Sequence, residues 1–267
     1  MASNTKHLRN RIKSVDSTLH LTKAMGLVAS SKIRKATELM TKSREYKDAV
    51  TDVINSVISS PECKKSPYVK KSEGKRAKII VIAGDRGLAG GYNANVFRLS
   101  KQYPDAEFIP IGKRSCERYE KDALSAEAFS YKDAINLSKE LCQDFKNGEF
   151  DTLGIISTKY VSMLTQEAMY TTVLPIEATK NKSNASTLFE PNEAVILEFA
   201  ITEYVAGVIM AHVRESFACE LAARRNAMDS AGKNAQEMID NLMLEYNRAR
   251  QGAITQELTE IVAGSGI

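Results

Sequence analysis

The chain has 267 residues, 43% of them hydrophobic and 26% charged, with a formal net charge of +4. That balance fits a core-forming protein in water and excludes a disordered chain. No run approaches the roughly 18 apolar residues of a membrane span. The N-terminus has no apolar stretch and leads directly into patterned helix, so neither a secretory signal nor a transit peptide is expected. Cys63, Cys116, Cys142 and Cys219 show no Cys-x-x-Cys spacing, which fits free thiols in a reducing cytosol. His7, His20 and His212 stand far apart, so no metal site is predicted.

The prolines lie at 61, 67, 104, 110, 175 and 191, leaving two long arms without a helix breaker. The division expected is therefore 1–60, 61–191 and 192–267. The first arm holds 11 Lys/Arg against 5 Asp/Glu and the last holds 6 against 11. Two arms of opposite charge in one chain are expected to pair with each other rather than with nucleic acid.

In the first arm, Leu8, Ile12, Val15 and Leu19 form an apolar stripe. It is read as resuming at Leu21, Met25 and Val28, then at Val50, Val53 and Val57, with its phase drifting between blocks. As one helix this arm would span roughly 90 Å at 1.5 Å per residue. A compact body of this length has a radius of gyration of only about 18 Å, so each arm needs a partner outside a compact body.

The central segment predicts a small α/β domain with a partly parallel sheet. Strands are expected at 77–83, 107–111, 151–157 and 170–176, with helices after the glycine loop and over 132–147. The loop Gly84-Asp85-Arg86-Gly87-Leu88-Ala89-Gly90-Gly91 invites a phosphate-cradle reading. It lacks both the Gly-Lys-Ser/Thr of a P-loop and the Gly-x-Gly-x-x-Gly spacing, so a tight turn where only glycine fits is preferred, and an Asp85–Arg86 ion pair could equally fix that turn. No catalytic constellation, cofactor site or small-molecule substrate site is predicted.

The last arm opens at Glu190-Pro191-Asn192, with Asn192 as N-cap. Leu221, Met228, Ala235, Leu242 and Ala249 then repeat every seven residues, with Ile239, Tyr246 and Ala253 in the companion position. Antiparallel pairing leaves the longer last arm with an overhang of about 16 residues. This overhang presents Ile254, Leu258, Ile261 and Val262 at helical spacing and requires an external partner. The fold class is thus α/β: a long antiparallel coiled coil of N- and C-terminal helices plus a central Rossmann-like domain. Function on these grounds is mechanical or interactive.

Several blocks make the reading specific. They are Glu-Leu-Ala-Ala-Arg-Arg-Asn-Ala-Met from Glu220, Leu-Glu-Tyr-Asn-Arg-Ala-Arg-Gln ending at Gln251, and Ile-Thr-Gln-Glu-Leu-Thr-Glu-Ile-Val from Ile254. Arg11-Ile12-Lys13-Ser14-Val15, Leu21-Thr22-Lys23-Ala24-Met25 and the glycine loop match in the same order. Together they resemble the gamma subunit of the F-type ATP synthase, the central rotor shaft. The resemblance implies a non-catalytic subunit inside a hexamer of alpha and beta subunits. It implies further contacts with the epsilon subunit and the membrane ring of c subunits, and a place on the cytoplasmic side of a bacterial cell membrane.

Carried over residue by residue, the resemblance implies beta-subunit contacts at Lys23, Met25, Arg224, Arg225, Arg250, Gln251, Thr255 and Glu257. It implies a bearing tip at Ile254, Leu258, Ile261 and Val262, and ring contacts at Leu188, Phe189 and Glu190. Ala89 replaces the family's usual Cys, and Arg225 stands where Met is common, so either Arg224 or Arg225 is expected to meet the beta lever. The chain is too short for a redox-regulated insertion, so no thiol switch is expected. Two rival readings are a coiled-coil adaptor with a nucleotide-sensing α/β head and a small enzyme using the glycine loop.

Overall fold

The computed structural model describes residues 2–60, 62–69, 74, 76–176, 192–264 and 266. Helix α1 runs Ala2–Ile58 and a short 3-10 turn follows at Cys63–Lys65. The domain then reads β1 (Ala77–Ile82), α2 (Tyr92–Ser100), β2 (Glu107–Ile111), α3 (Lys113–Arg118), α4 (Tyr131–Asn147), β3 (Thr152–Tyr160) and β4 (Gln166–Leu174). Helix α5 closes the chain at Glu193–Gly264. Asn192 caps it, its Oδ1 accepting from the Val195 amide at 2.9 Å. Ser130 and Asp133 form a capping box at the start of α4, and Gly148 ends that helix in the left-handed region.

The sheet order is β2-β1-β3-β4. The β1–β2 and β1–β3 pairs are parallel and β3–β4 is antiparallel. Alternation along β1 sorts the core into two faces. Ile79 and Val81 pack with Val96 of α2. Ile80 and Ile82 face the larger core, which takes Leu141 and Phe145 from α4, Ile54 and Val57 from α1, and Ile201, Val205 and Ile209 from α5. Strand β3 continues three residues past the expected end at Ser157. Thr158, Lys159 and Tyr160 are too polar to read as core, yet they pair with Ala168, Glu167 and Gln166 of β4. The short α3 was not expected; its six residues offer too few positions for a helical period to show.

One 18-residue window of α5 reaches a mean hydropathy of 1.8, apolar enough to cross a membrane by composition. The early α5 residues Leu197, Ile201, Val205, Val208, Ile209 and Val213 are core side chains of the domain, which accounts for that composition.

The chain divides into two compact units: residues 31–223, and residues 1–30 with 224–267. In the second unit the helices run antiparallel. A Cβ on Gly26 would meet Met228 at 3.7 Å, and one on Gly232 would meet Thr22 and Leu19 at 3.6 and 3.8 Å. Burial on α5 steps through Met228, Ala235, Ile239, Leu242, Tyr246, Ala249 and Ala253, as the heptad reading expects.

On α1 the seam differs from the expected stripe. Leu8, Ile12, Val15 and Leu19 face inward, but the line continues through Thr22, Gly26 and Ala29 with no drift of phase. Leu21 and Val28 are 60% and 55% exposed. Small residues let the two backbones approach, and Thr22 hides its hydroxyl by donating to Leu19 O at 2.9 Å. The same correction holds farther along, in the first unit, where Val53 is exposed and Ile54 is fully buried.

The seam makes unequal demands on neighbouring leucines. Leu19→Ala is expected to cost about 2–4 kcal/mol of local stability, and Leu21→Ala no more than about 0.5. Hydrogen exchange of the α1 amides in the two variants checks this, and equal effects would contradict the seam.

Candidate functional site

The glycine loop does not sit open. Asp85 turns its carboxylate inward, where Oδ1 accepts from the Lys113 and Ala126 amides at 3.1 and 2.9 Å. Its Oδ2 accepts from the Ser125 hydroxyl at 2.7 Å and the Glu127 amide at 2.8 Å. Burial pushes the Asp85 carboxyl up, but these donors outweigh it and the net shift is downward. The expected Asp85–Arg86 pair is thus replaced by amide and hydroxyl donors: a short carboxylate stitches the β1 turn to the segments after β2.

The other side of the loop grips α5. The Asp85 amide donates to Glu220 Oε2 at 3.3 Å, and the Gly84 amide donates to Asn93 Oδ1 at 2.9 Å. A Cβ on Gly84 would stand 2.7 Å from Glu220 Cδ, so a side chain there would displace this carboxylate. Gly90 has φ 58, which suits a residue without Cβ. Ala89 and Tyr92 pack on Cys219, and Tyr92 donates to Ser216 O at 2.9 Å.

Strand β3 meets the same face of the helix. The Thr158 amide donates to Ser216 Oγ at 3.2 Å and the Tyr160 amide to Glu215 Oε1 at 2.8 Å. Ser157 Oγ lies 2.8 Å from His212 Nδ1. Arg44 of α1 completes the joint, its Nη2 standing 2.5 Å from the same Glu215 oxygen. Residues 212, 215, 216, 219 and 220 form one face of α5, so sheet, loop and α1 converge on a single polar stripe. A second junction lies farther back, where Tyr131 donates to Glu203 Oε2 and pairs with Tyr46, whose ring abuts Gly207.

Of these partners the sequence reading names the loop residues, Glu220 only as the start of a block, and His212 and Cys219 only as a scattered histidine and a free thiol; Arg44, Tyr160, Glu215 and Ser216 carry no role in it. The available signal was a polar set at helical spacing within an otherwise apolar stretch of α5.

The expected contact residues fall elsewhere. Lys23 and Arg225 are exposed, and Met25 is half-buried. Arg224, by contrast with its neighbour, is only 7% exposed. Arg250, Gln251, Thr255 and Glu257 are exposed, and Thr255 donates back to Gln251 O at 3.0 Å. Thr5 of α1 lines a shallow cleft with Tyr246, Arg250, Ala253 and Glu257. Ile254 lines the same cleft and is 49% exposed, and farther along α5 Leu258, Ile261 and Val262 are 59%, 67% and 69% exposed. Leu188, Phe189 and Glu190 lie outside the described residues.

An α/β domain packed on residues of two long helices, with the Gly84 and Asp85 amides of its loop engaged by its own Asn93 and Glu220, has the build of a mechanical linkage. The ATP synthase family model matches residues 4–266. The ATP synthase gamma chain of Ruminococcus albus is 40% identical, over 98% of this chain and 98% of that protein. The "ATP synthase gamma chain, sodium ion specific" of Acetobacterium woodii is 35% identical, over 99% of each. A chain from the Euglena gracilis mitochondrial ATP synthase (OSCP/F1/c-ring) shares the fold at TM-score 0.67 and 16% identity, over 100% of this chain and 97% of that one. One from the Tetrahymena thermophila central stalk and c-ring does so at 0.61 and 18%, over 79% and 99%. The chain belongs to the ATP synthase gamma-chain family. Its role is that of the central-stalk subunit, which is not itself catalytic.

His212 gives the joint a pH signature. Burial lowers its pKa to about 4, against an upward pull from Glu215, with Lys47 and Arg44 pushing the same way as burial. The unfolded chain takes up this proton first, near pH 6.5, so stability from the neutral ring is full above that pH. It is lost as pH falls through about 4. The stability difference between wild type and His212→Gln should therefore shrink by about 2–3 kcal/mol between pH 7 and 4. Parallel urea titrations at both pH values check it, and a constant difference would contradict a neutral buried ring.

Proposed function

We propose that this chain is the rotor shaft that couples ion flow through a membrane ring of c subunits to ATP turnover on beta subunits. It turns inside a hexamer of alpha and beta subunits, with an epsilon subunit at its α/β domain, on the cytoplasmic side of a bacterial cell membrane. One observation carries the reading: the C-terminal end of α5 exposes a helical set of apolar side chains beyond the start of α1. Apolar surface of that kind is stable in water only at the expense of roughly 25 cal/mol per Å², which a surrounding collar removes. Ile254, Leu258, Ile261 and Val262 are the bearing residues in this reading.

Below the tip, Arg250, Gln251, Thr255 and Glu257 meet the beta subunits by charge-assisted hydrogen bonds. Lys23 and Met25 contribute from α1. Of the two adjacent arginines we assign the beta lever to Arg225, a reading supported by its exposure, and a structural part to Arg224, which is buried. Leu188, Phe189 and Glu190 are assigned to the ring. Each shaft angle stabilises a different beta conformation through differential contact, which is a population shift driven by rotation.

Arg250→Ala in the assembled enzyme should lower ATP synthesis in membrane vesicles about tenfold, as for the loss of about 1.4 kcal/mol of contact free energy. Unchanged synthesis and coupling would remove Arg250 from the contact set. Arg225→Ala should reduce synthesis without altering the melting of the isolated chain, whereas Arg224→Ala should lower both. Equal melting of the two variants would contradict this division of roles.

A further inference from the structure

In open α/β sheets, ligands are received outside the carboxyl ends of the strands, at the point where strand order reverses. Here the chain leaves β1 for β2 on one side, and β3 lies on the other, so the reversal falls between β1 and β3. The elements on the two faces agree with this: α2 packs with Ile79 and Val81, and α4 with the core containing Ile80 and Ile82. The crevice at that point is therefore bounded by the Gly84–Gly91 loop and the end of β3. Helix α5 fills it.

The occupant has the chemistry of a ligand. Glu220 is 2% exposed, and its Oε2 accepts from the Asp85 amide at 3.3 Å. Its carboxylate lies against Gly84, where any side chain would collide with it. Ser216, one turn earlier, accepts the Thr158 amide from the neighbouring strand at 3.2 Å. The two strand ends that would hold a bound anion thus hold oxygens of the chain's own helix.

We propose that Glu220 is a built-in ligand. Its carboxylate occupies the anion seat of the α/β domain, and by filling that seat it positions α5 on the sheet. Shortening the side chain leaves a seat that a small free carboxylate fills. Glu220 is a positioning residue in this account, and the proposal is independent of the contacts assigned to the beta subunits.

The test uses the full-length chain carrying Glu220→Ala, melted in sodium formate and in sodium chloride of equal ionic strength. The variant should melt several degrees below wild type, formate should restore about half the loss with the logarithmic dependence of a bound ligand, and wild type should not respond. The Asp85 amide resonance should move in the variant and return with formate. Overturning results are an unchanged melting point, recovery equal in chloride, or recovery with inorganic phosphate and not with formate. Should Glu220→Ala fail to fold, Glu220→Gln keeps the shape and removes the charge. A displaced Asp85 amide resonance in that variant then supports the seat, and an unmoved one overturns it.

Discussion

Glu215 Oε1 accepts at once from Arg44 of α1 and from the Tyr160 amide at the end of β3, and the rest of the domain's hold on the helices is arranged around that oxygen. Apolar burial between α5 and the sheet resists separation but is non-directional, so by itself it tolerates sliding and rotation of a helix in its groove. Hydrogen bonds from fixed backbone amides do not. The amides of Asp85, Thr158 and Tyr160 each find one oxygen on the 212–220 face of α5, which fixes the helix in both translation and rotation. Bonds to charged groups contribute about 1.5–3 kcal/mol each, offset by the cost of burying the carboxylates. Their value here lies more in a single register than in net stability.

A second constraint governs the paired ends of the helices. The seam uses Thr22, Gly26, Ala29, Gly232 and Ala235 in place of large apolar residues. Close backbone approach therefore replaces bulk, and each contact buries little area. The apolar side chains that a thicker coil would hide are turned outward instead, as at Leu21, Leu27 and Val28. A stalk of this kind is thin and presents greasy as well as charged surface to whatever surrounds it.

Much of this was legible in the sequence, for identifiable reasons. The two long helices followed from missing prolines, and the α5 seam from a heptad of alanines and leucines. The four strands followed from apolar runs, although β3 and β4 extend into polar residues whose partners are non-local. The α1 seam departs from the apolar stripe after Leu19 because hydrophobicity marks Leu21 and Val28, whereas packing selects the smaller Thr22, Gly26 and Ala29. The joint itself was hidden. Arg44, Tyr160 and Glu215 are ordinary polar residues until the fold brings positions more than a hundred residues apart onto one oxygen. The glycine loop was visible, but not that a glutamate 135 residues later fills it.

In the proposed function the α/β domain turns within an ATP synthase together with residues 193–223 of α5, which belong to the same compact unit. The four native thiols are buried, so a cysteine placed at the exposed Glu140 of α4 takes a fluorescent or bead label alone. In the complex with alpha and beta subunits, fixed to a surface by the hexamer, the label should rotate in one direction while ATP is hydrolysed and stop when ATP is withdrawn. A label that stays still while hydrolysis continues would contradict the account.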